Sequence, residues 1–447
     1  MPRTSPTHRL PDRSFVCATI FAAAVIPSSL VPVAASAEPT ARLVIGLSDV
    51  DMAGTAYEDG QLGAPLDAVD TLSVFDPLRP DAAIGTVEAS NAINSPPNVM
   101  DVSSDGTRAV VVETLQPRVE GDTTLAQLEE HPGTVLRLFD LTDPANPELV
   151  NEVTVPGNSQ AAQFNASGDL VAVAGLAAAN GLTVVPVTDE GLGTPATFDL
   201  GLTERGDIPF DPAANVYFHP RADIVAVPLT LRNQIAFRRI ARDADGTPTG
   251  IEPWGNLVAT NKWPASGAFT PDGSHYVTTD LMWGPDVRRF YGYVGQGTMT
   301  SIALADPDAA DPRHEIVGIQ AGGFQSESIA MSPDGTKVAL SSLRTTGLPQ
   351  DSELFDPEAS VSLYAFDAST GGLTLIEEER FEAHLPQGLA FDPSGDHLYV
   401  GVNEYFDATD PVMRGAVELW DVADDGLTRT DVRMAAPRGV HVVQVIE

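Results

Sequence analysis

The sequence predicts an all-β protein folded as a seven-bladed β-propeller, whose last blade joins the C-terminal inner strand to three N-terminal strands. Three observations predict this fold. A strand–turn–strand phrase recurs six times at intervals of about 50 to 60 residues, unmatched strands remain at both ends, and no linker interrupts the repeat. The 447 residues are therefore expected to form one closed repeat domain rather than several ordinary domains.

The N-terminus is organised like a secretory signal peptide. Three arginines precede an apolar run over residues 15–33, and the sequence Ala-Ser-Ala at 35–37 offers a cleavage site. We therefore predict a signal peptide at residues 1–37, a propeller over residues 38–447, and a periplasmic or secreted protein. Prolines make the apolar run a poor membrane span, although a retained anchor stays open as an alternative. Because the only cysteine, Cys17, lies here, the mature chain is expected to have no disulfide or catalytic thiolate.

The repeat consists of a short apolar strand, a tight polar turn, and a second strand rich in Val, Ala and Tyr. Its six instances lie at 98–112, 160–174, 214–228, 265–279, 327–341 and 387–401. Each turn supplies Pro, Asp, Ser or Asn and usually a glycine for a left-handed position. In the third copy Ala222 replaces the glycine, so a different turn is expected there. Two further strands follow most copies, which is the composition of a four-stranded propeller blade.

The two ends of the chain complete the seventh blade in this prediction. Residues 439–447 form an inner strand with nothing after it, whereas strands at 42–49, 71–78 and 82–89 lack an inner partner. Pairing them removes both exposed sheet edges, which protects a protein without disulfides from edge-to-edge association.

The strongly acidic composition limits the range of partners. A net charge of −37 disfavours binding to nucleic acid and to anionic membranes, so a small anionic substrate or a protein or glycan partner is expected. We also expect a monomer. Only Lys262 and Lys337 are lysines, and Lys262 precedes an inner strand, where it is a candidate ligand for a carboxylate.

The two rims of the predicted propeller differ. The rim with the uniform turns is expected to be structural. The other rim gathers long, irregular loops near 50–70, 113–133, 279–298, 342–360 and 402–416. Long loops on a rigid scaffold commonly carry function. The alternative is that these loops pack on one another as a lid.

Polar residues recur where the inner strands begin. The aligned entry positions are Asn98, Gln160, Ala214, Ala265, Glu327, Gln387 and Arg438. Lys262, Trp263 and His384 lie just upstream, and Asp101, Gln163, Tyr217 and His441 lie three residues further along their strands. This pattern indicates a polar site at the channel mouth, although a water-filled channel would also need polar residues.

The chemistry available to such a site is acid–base and electrostatic. We predict catalytic roles for Glu327, His384 and His441, because these side chains can exchange protons. The predicted substrate-binding residues are Asn98, Gln160, Lys262, Trp263, Gln387, Arg438, Arg344 and Asn403. Among them, Arg438 and Lys262 could hold a carboxylate or an oxyanion.

No cofactor and no metal ligand are predicted, since the sequence lacks zinc-binding motifs and cysteine sites. A weak alternative is a Ca²⁺ loop formed by Asp49, Asp51 and Gly54 with nearby Glu58, although the spacing differs from that of an EF-hand.

The phrases AFTPDGSHYVTTD, AMSPDGTKVALSS and LPQGLAFDPSGDHLYVGVNE resemble the bacterial lactonase-like seven-bladed propellers, which include 6-phosphogluconolactonase-like, carboxymuconate-cyclase-like and exported YVTN-type proteins. The resemblance implies Arg, His and Glu at the channel mouth acting on cyclic esters. The positions that match by location are Arg438, His384, His441 and Glu327.

Two functions therefore stay open. The first is an exported hydrolase or lyase acting on a small anionic cyclic ester or a sugar-acid-like substrate. The second is a non-enzymatic propeller that binds a peptide, glycan or protein through its long-loop rim.

Overall fold

A computed structural model describes residues 37–91, 98–176, 181–203, 213–287 and 295–447. All but the last residue of the predicted signal peptide falls outside these ranges, so that prediction is not tested. None of the helices in the described part of the chain is long and apolar enough to cross a lipid bilayer.

The chain begins with three strands and then forms three blades. The first strands and the helix between them are β1 (Leu43–Ser48), α1 (Ala56–Asp59), β2 (Thr71–Phe75) and β3 (Gly85–Glu88). Blade 1 contains β4 (Met100–Val102), β5 (Arg108–Val112), α2 (Leu125–Leu128), β6 (Val135–Asp140) and β7 (Glu148–Thr154). Blade 2 contains β8 (Ser159–Phe164), β9 (Leu170–Gly175), β10 (Gly181–Thr188), β11 (Gly191–Leu192) and β12 (Ala196–Asp199). Blade 3 contains β13 (Tyr217–Phe218), β14 (Ile224–Leu229), β15 (Gln234–Arg242), β16 (Pro248–Pro253) and β17 (Val258–Ala259), with a 3₁₀ turn at Thr230–Arg232.

The second half of the chain forms three regular blades and one final strand. Blade 4 contains β18 (Pro264–Phe269), β19 (His275–Asp280), β20 (Thr298–Ala303) and β21 (Glu315–Ala321). Blade 5 contains β22 (Ser328–Met331), β23 (Lys337–Ser342), β24 (Glu358–Asp367) and β25 (Gly372–Glu382). Blade 6 contains β26 (His384–Phe391), β27 (His397–Glu404), β28 (Gly415–Val422) and β29 (Leu427–Ala436). The final strand is β30 (Val440–Ile446).

The seventh blade is built from both ends of the chain, and the predicted seven-bladed fold is confirmed. Its strand order is β3-β2-β1-β30, with β1 antiparallel to β30 and Ile45 opposite Gln444. The backbone N–H groups of Thr40 and Ala41 donate to the buried carboxylate of Asp392 at 2.9 and 2.8 Å. The N-terminal segment is therefore tied to blade 6 as well as to its own blade.

The turns after the inner strands follow the predicted chemistry. Five of them carry a glycine in the left-handed region, namely Gly106, Gly168, Gly273, Gly335 and Gly395, with φ between 67° and 78°. Ala222 is not in that region, and its turn closes instead by a hydrogen bond from the Ile224 N–H to the Ala222 oxygen. The prediction of a different turn in blade 3 is confirmed, because a side chain with a Cβ disfavours positive φ.

The cores lie between neighbouring blades. The second and third strands of each blade are the most apolar, and one buried cluster runs from the closing blade through blades 1 and 2. Trp420, Tyr276 and Tyr399 are the largest fully buried side chains. Burial of this apolar surface is the main stabilising contribution, and it needs every blade to have a neighbour on both sides.

We predict that Asp392→Ala weakens closure of the ring. Although burial opposes it, hydrogen bonds from Ser394 and Thr40 lower the pKa of Asp392, so it stays ionised at neutral pH. Removing charge-assisted hydrogen bonds of this kind should reduce the free energy of unfolding by about 3 kcal/mol. The matched control is Asp334→Ala, since Asp334 serves the equivalent turn of blade 5 but bonds only to Ser332 and Thr336.

Urea unfolding monitored by tryptophan fluorescence measures both variants. Because the pKa of Asp392 is lowered in the folded protein, its contribution to stability is fully present at pH values above the ordinary aspartate pKa. That contribution is lost as pH falls through the lowered pKa. Equal destabilisation by the two substitutions at neutral pH would show that the link between the N-terminus and blade 6 contributes nothing to closure.

Candidate functional site

Irregular pairing at the start of four inner strands sets the direction of the entry side chains. At these points the strand loses register with its neighbour. The residues outside the regular pairing are Gln160 in blade 2, 265–266 in blade 4, 387–388 in blade 6 and His441 in blade 7. A bulge adds a residue on one strand and re-aims its side chain. In the closing blade this irregularity falls at His441 rather than at Arg438.

The long loops of the irregular rim pack on one another. Met52, Ala56 and Leu62 of the first loop are buried against Leu115 and Leu128 of the loop in blade 1. The two loops also share an isolated β-bridge between Gln61 and Thr124. Thr124 and Gln127 form a capping box that fixes α2. Two of the long loops therefore pack on each other, as the lid alternative expects, and five of the seven entry residues are buried, namely Gln160, Ala265, Glu327, Gln387 and Arg438.

Four charged or titratable side chains, His384, Glu404, Arg414 and Arg438, form what we call the Glu404 cluster. His384 lies directly opposite Glu404 in the ladder between β26 and β27. Arg414 Nε donates to Glu404 Oε2 at 2.8 Å. Arg438 Nε and Nη2 donate to the Val50 oxygen at 3.1 and 2.6 Å. Burial lowers the pKa of His384 and of Arg438, and the Glu404 charge opposes this lowering at both, so one carboxylate interacts with all three other members.

His384 is held as a neutral ring with one free nitrogen. Its ring stacks on Phe406 at 5.5 Å, and on Gly54 a Cβ would come within 2.5 Å of His384 Cε1. Burial lowers the pKa of His384, and this outweighs the opposing effect of Glu404. Within the described ranges Nε2 is buried and has no hydrogen-bond partner. A neutral imidazole with an unoccupied nitrogen can accept a proton.

The loop that carries Phe406 is anchored by a buried carboxylate. Tyr405 Oη donates to Glu418 Oε1 at 2.5 Å, and Glu418 is fully buried. Arg429 Nε and Trp420 Nε1 donate to its other oxygen at 2.9 and 3.0 Å. Since Glu418 is satisfied on every side, it fixes the backbone between Glu404 and Phe406.

Three other predicted residues lie in or next to the inner strands of blades 5, 6 and 7. Gln387 Nε2 donates to Glu327 Oε2 at 2.6 Å. Burial raises the pKa of Glu327 to about 7, although the hydrogen bond from Gln387 opposes this. His441 is fully buried, and burial lowers its pKa to about 4. Gln387 Oε1 and His441 Nε2 are buried and have no hydrogen-bond partner among the described residues.

Several inner-strand polar residues satisfy the backbone of the next blade. Asp101 Oδ2 accepts from the Phe164 N–H at 2.8 Å, and Gln163 Oε1 accepts from the Phe218 N–H. The first two contacts link neighbouring inner strands. Asn98 Nδ2 donates to the Val216 oxygen at 3.0 Å and so links blade 1 to blade 3. This part of the polar ring therefore supports the fold.

The remaining predicted residues belong to neither of these two groups. Lys262 forms an ion pair with the exposed Asp286. Trp263 packs beside Ala265, Leu281 and Trp283. Arg344 pairs with Asp356 and Glu378 at 3.0 and 3.7 Å. Gln160 Nε2 donates to Asn158 Oδ1 at 3.4 Å. Asn403 is buried next to Gly439, whose N–H donates to its backbone oxygen at 2.9 Å.

The predicted calcium loop contributes to a cluster of carboxylates. The oxygens of Asp49, Asp51 and Asp70 lie within 4.8 Å of one another, and Glu58 is not part of this group. Burial and the neighbouring Asp49 charge raise the pKa of Asp51 to about 7. Asp70 also accepts from the Val50 and Asn91 N–H groups, which join the ends of β1 and β3. The calcium site stays a prediction.

Two cavities flank the site. The first, of about 410 Å³, lies between the loops near 65–70 and 117–122 and is lined by Asp51, Asp70 and Arg118 among others. The second, of about 390 Å³, occupies the central channel. It is lined by inner-strand residues and reaches Pro220 and Pro271 in the uniform turns. The channel is thus accessible from the rim that the sequence assigned to structure alone.

The sequence missed the centre of the Glu404 cluster. Glu404 and Arg414 were recognised only as loop residues, and Gly54 and Phe406 were not connected with His384. A signal for Glu404 existed, because the hairpin at 387–401, extended by three residues on each side, places it opposite His384. The approach of Gly54 could not have been seen, since it depends on how a distant loop folds back.

Comparisons with known proteins agree with this architecture. Residues 268–405 match the family described as Lactonase, 7-bladed beta-propeller. No curated protein matches the sequence significantly. The periplasmic gluconolactonase PpgL of Pseudomonas aeruginosa is 14% identical, with a TM-score of 0.59, and the match covers 91% of this chain and 99% of that chain.

Two more solved structures are similar. A candidate 6-phosphogluconolactonase of Bacteroides fragilis is 14% identical, with a TM-score of 0.59 and coverage of 91% of this chain and 98% of that one. A protein of unknown function from Desulfotomaculum acetoxidans is 12% identical, with a TM-score of 0.58 and coverage of 90% and 99%. At such identities the likeness establishes the fold, and the resemblance to lactonase-like propellers is confirmed.

We predict that Glu327→Gln changes how stability depends on pH. The folded protein keeps the Glu327 proton up to about pH 7, whereas the unfolded chain releases it near 4.5. Wild-type stability should therefore fall as pH rises between these values, and the neutral glutamine should remove that loss, which amounts to about 3 kcal/mol. Urea unfolding at about pH 5 and about pH 8 measures the difference.

The control is Glu315→Gln on the exposed strand β21. It should change stability by the same small amount at both pH values. If Glu327→Gln behaved like this control, the burial-raised pKa would be refuted.

Proposed function

We propose that this lactonase-like seven-bladed β-propeller hydrolyses a cyclic ester of the sugar-lactone class at its Glu404 cluster. The observation that carries the proposal is the buried, neutral His384, whose Nε2 has no partner among the described residues and which lies beside the Glu404 carboxylate. A cyclic ester needs a base to activate water and a cation to stabilise the oxyanion, and this cluster contains both.

In the proposed reaction, His384 Nε2 takes a proton from water as the oxygen attacks the lactone carbonyl carbon. Glu404 stabilises the imidazolium that forms, as a carboxylate does beside a catalytic histidine. The Arg438 guanidinium stabilises the tetrahedral oxyanion. When the oxyanion collapses, the bond between the carbonyl carbon and the ring oxygen breaks, and His384 returns its proton to that oxygen. The product is the open-chain hydroxy acid.

Access to His384 requires the first loop to move. The Gly54 N–H donates to Glu404 Oε1 at 3.2 Å, and the Gly54 backbone covers one face of the imidazole. Arg438 is bound to the Val50 oxygen of the same loop. Displacement of this loop would expose the His384 imidazole and release the Arg438 guanidinium at the same time. When the loop closes again over the substrate, it would exclude bulk water.

We also propose that residues 1–37 direct export. The basic and apolar organisation of this segment supports it, and the similar protein PpgL is described as periplasmic. In such a location a small lactone that enters from outside the cell would be available as substrate.

We predict that His384→Ala lowers kcat/KM for glucono-1,5-lactone by at least about 100-fold, the usual minimum contribution of a general base. Because the pKa of His384 is lowered, wild-type activity should decline only as pH falls below the ordinary histidine value, about 6.5. Acid release in a pH-stat measures the rate. The control is His131→Ala, a half-buried histidine of the long loop at 113–133.

If His384→Ala retained the wild-type kcat/KM, His384 would take no part in the reaction. A wild-type protein without turnover on aldonolactones and uronolactones would contradict the hydrolase itself.

A second candidate function is capture of a peptide, glycan or protein partner on the long-loop rim. The cavity of about 410 Å³ between two packed loops supports it. Val69 lines this cavity and is 51% exposed. We predict that Val69→Arg reduces binding of such a partner, measured by surface plasmon resonance, without changing lactone turnover. If Val69→Arg left partner binding unchanged and reduced lactone turnover, the hydrolase alone would be favoured.

A further inference from the structure

The cavity of about 410 Å³ between the loops near 65–70 and 117–122, which we call the loop cavity, has walls from two different blades. The two loops are buried against each other, and the Arg118 N–H donates to Asp51 Oδ1 at 3.2 Å across the junction. Contacts between the walls therefore hold the cavity in shape. Its volume falls within the usual range for small-molecule sites.

Two exposed valines line the loop cavity, one from each wall. Val69 is 51% exposed and Val119 is 49% exposed. Leu66 and Pro117 add apolar surface beside them. Apolar side chains left in water within a concave surface gain stability when a ligand covers them. The walls therefore suit a ligand with an aliphatic portion.

The charged part of the lining is almost entirely acidic. The carboxylates of the described lining are Asp51, Asp70, Glu88, Glu120 and Asp122. Arg118 is the one basic residue among the described lining residues, and its Nε and Nη2 donate to the Asp122 oxygen at 2.9 and 2.6 Å. Five carboxylates against one guanidinium make the cavity negative, which attracts a cation and repels an anion.

Carboxylates that repel one another lie on one wall. The oxygens of Asp51 and Asp70 are within 4.8 Å of each other and of Asp49. Burial, and after it the charges of Asp49 and Asp51, raises the pKa of Asp70 well above its ordinary value. Arg118 and Arg438 oppose the rise at Asp51 only in part. A cationic ligand beside these groups would offset the repulsion.

Acidity alone does not identify a site on a protein whose net charge is −37. The loop cavity differs because its carboxylates share one enclosed space with exposed valines. A metal ion at the aspartates would leave Val69 and Val119 in water. An ammonium group on a carbon chain would use both parts of the lining.

We propose that the loop cavity binds an aliphatic ammonium compound, with the cationic group beside Asp51 and Asp70 and the carbon chain between Val69 and Val119. The four members of the Glu404 cluster are not among the described lining residues. The proposal depends neither on hydrolysis at that cluster nor on capture of a macromolecule at the rim.

Calorimetric titration of the wild-type protein with cadaverine, 1,5-pentanediol and glutarate tests the preferred charge, because these compounds share one chain length. At an ionic strength of about 0.15 M, which screens exposed charges, cadaverine should bind. The diol and the dicarboxylate should bind at least about tenfold more weakly. Equal or tighter binding of either one would overturn the proposal.

Asp51→Asn tests the cationic end of the site. The asparagine oxygen can still accept the Arg118 N–H, so the variant changes charge and keeps this contact. Cadaverine binding should weaken by about tenfold, the usual effect of losing one charge-assisted interaction. The matched control is Asp59→Asn, an exposed residue of the same loop whose Oδ1 accepts the Gln61 N–H at 2.8 Å. It should bind like the wild type.

Val69→Ser tests the apolar wall without changing charge. It should weaken cadaverine binding by about threefold, because part of the buried carbon surface is lost. The matched control is Val150→Ser on β7, where Val150 is 41% exposed. If Val69→Ser bound cadaverine like the wild type, the attraction would be that of an acidic surface in general, which overturns the proposal.

The other candidate occupant is a metal ion. Titration with CaCl₂ alone is the comparison, and calcium binding without cadaverine binding would overturn the ammonium site. The hydrolase and this site fail separately. Cadaverine binding by a protein without lactone turnover would support the site and contradict the hydrolase, whereas lactone turnover without cadaverine binding would do the reverse.

Discussion

Pairing of β1 with β30 closes the ring, and the other blades depend on it because a four-stranded blade cannot bury both faces alone. Each blade contributes one half of two interfaces, so an open ring would leave two apolar faces and two sheet edges in water. Asp392 reinforces closure from blade 6 by accepting the N–H groups of Thr40 and Ala41. The sequence contains a single cysteine, so no disulfide can form within one chain, and this hydrogen-bonded link holds the N-terminal segment to blade 6.

The inner strands converge on the channel, where the backbone N–H and C=O groups of their inward edges have no neighbouring strand to pair with. These groups need other hydrogen-bond partners. Polar side chains of the preceding blade meet part of this need, as Asp101 does for Phe164 and Gln163 does for Phe218. Polarity at the channel is therefore not by itself evidence of function. What distinguishes Gln387 and His441 is that each retains an unsatisfied buried atom after its structural contacts are made.

Local patterns in the sequence were sufficient to predict the fold, including the altered turn at Ala222, because hairpin turns and strand alternation depend on residues that are close in the chain. Less of the proposed site was anticipated. His384 and Arg438 of the Glu404 cluster were among the candidates and Glu404 was not. Lys262, another candidate, forms an ion pair with Asp286. Side-chain direction at the entry positions depends on bulges, and burial depends on loops that meet across blades. Neither the bulges nor the contacts between loops can be recognised from residues that are close in the sequence.

The Glu404 cluster and the channel cavity differ in how a ligand would reach them. The Glu404 cluster lies beneath Gly54 and the packed loops, so chemistry there needs a loop to open. The channel cavity instead extends toward Pro220 and Pro271 on the rim of uniform turns. These turns are rigid, since each is fixed by its own hydrogen bonds, and they can form an entrance that does not move.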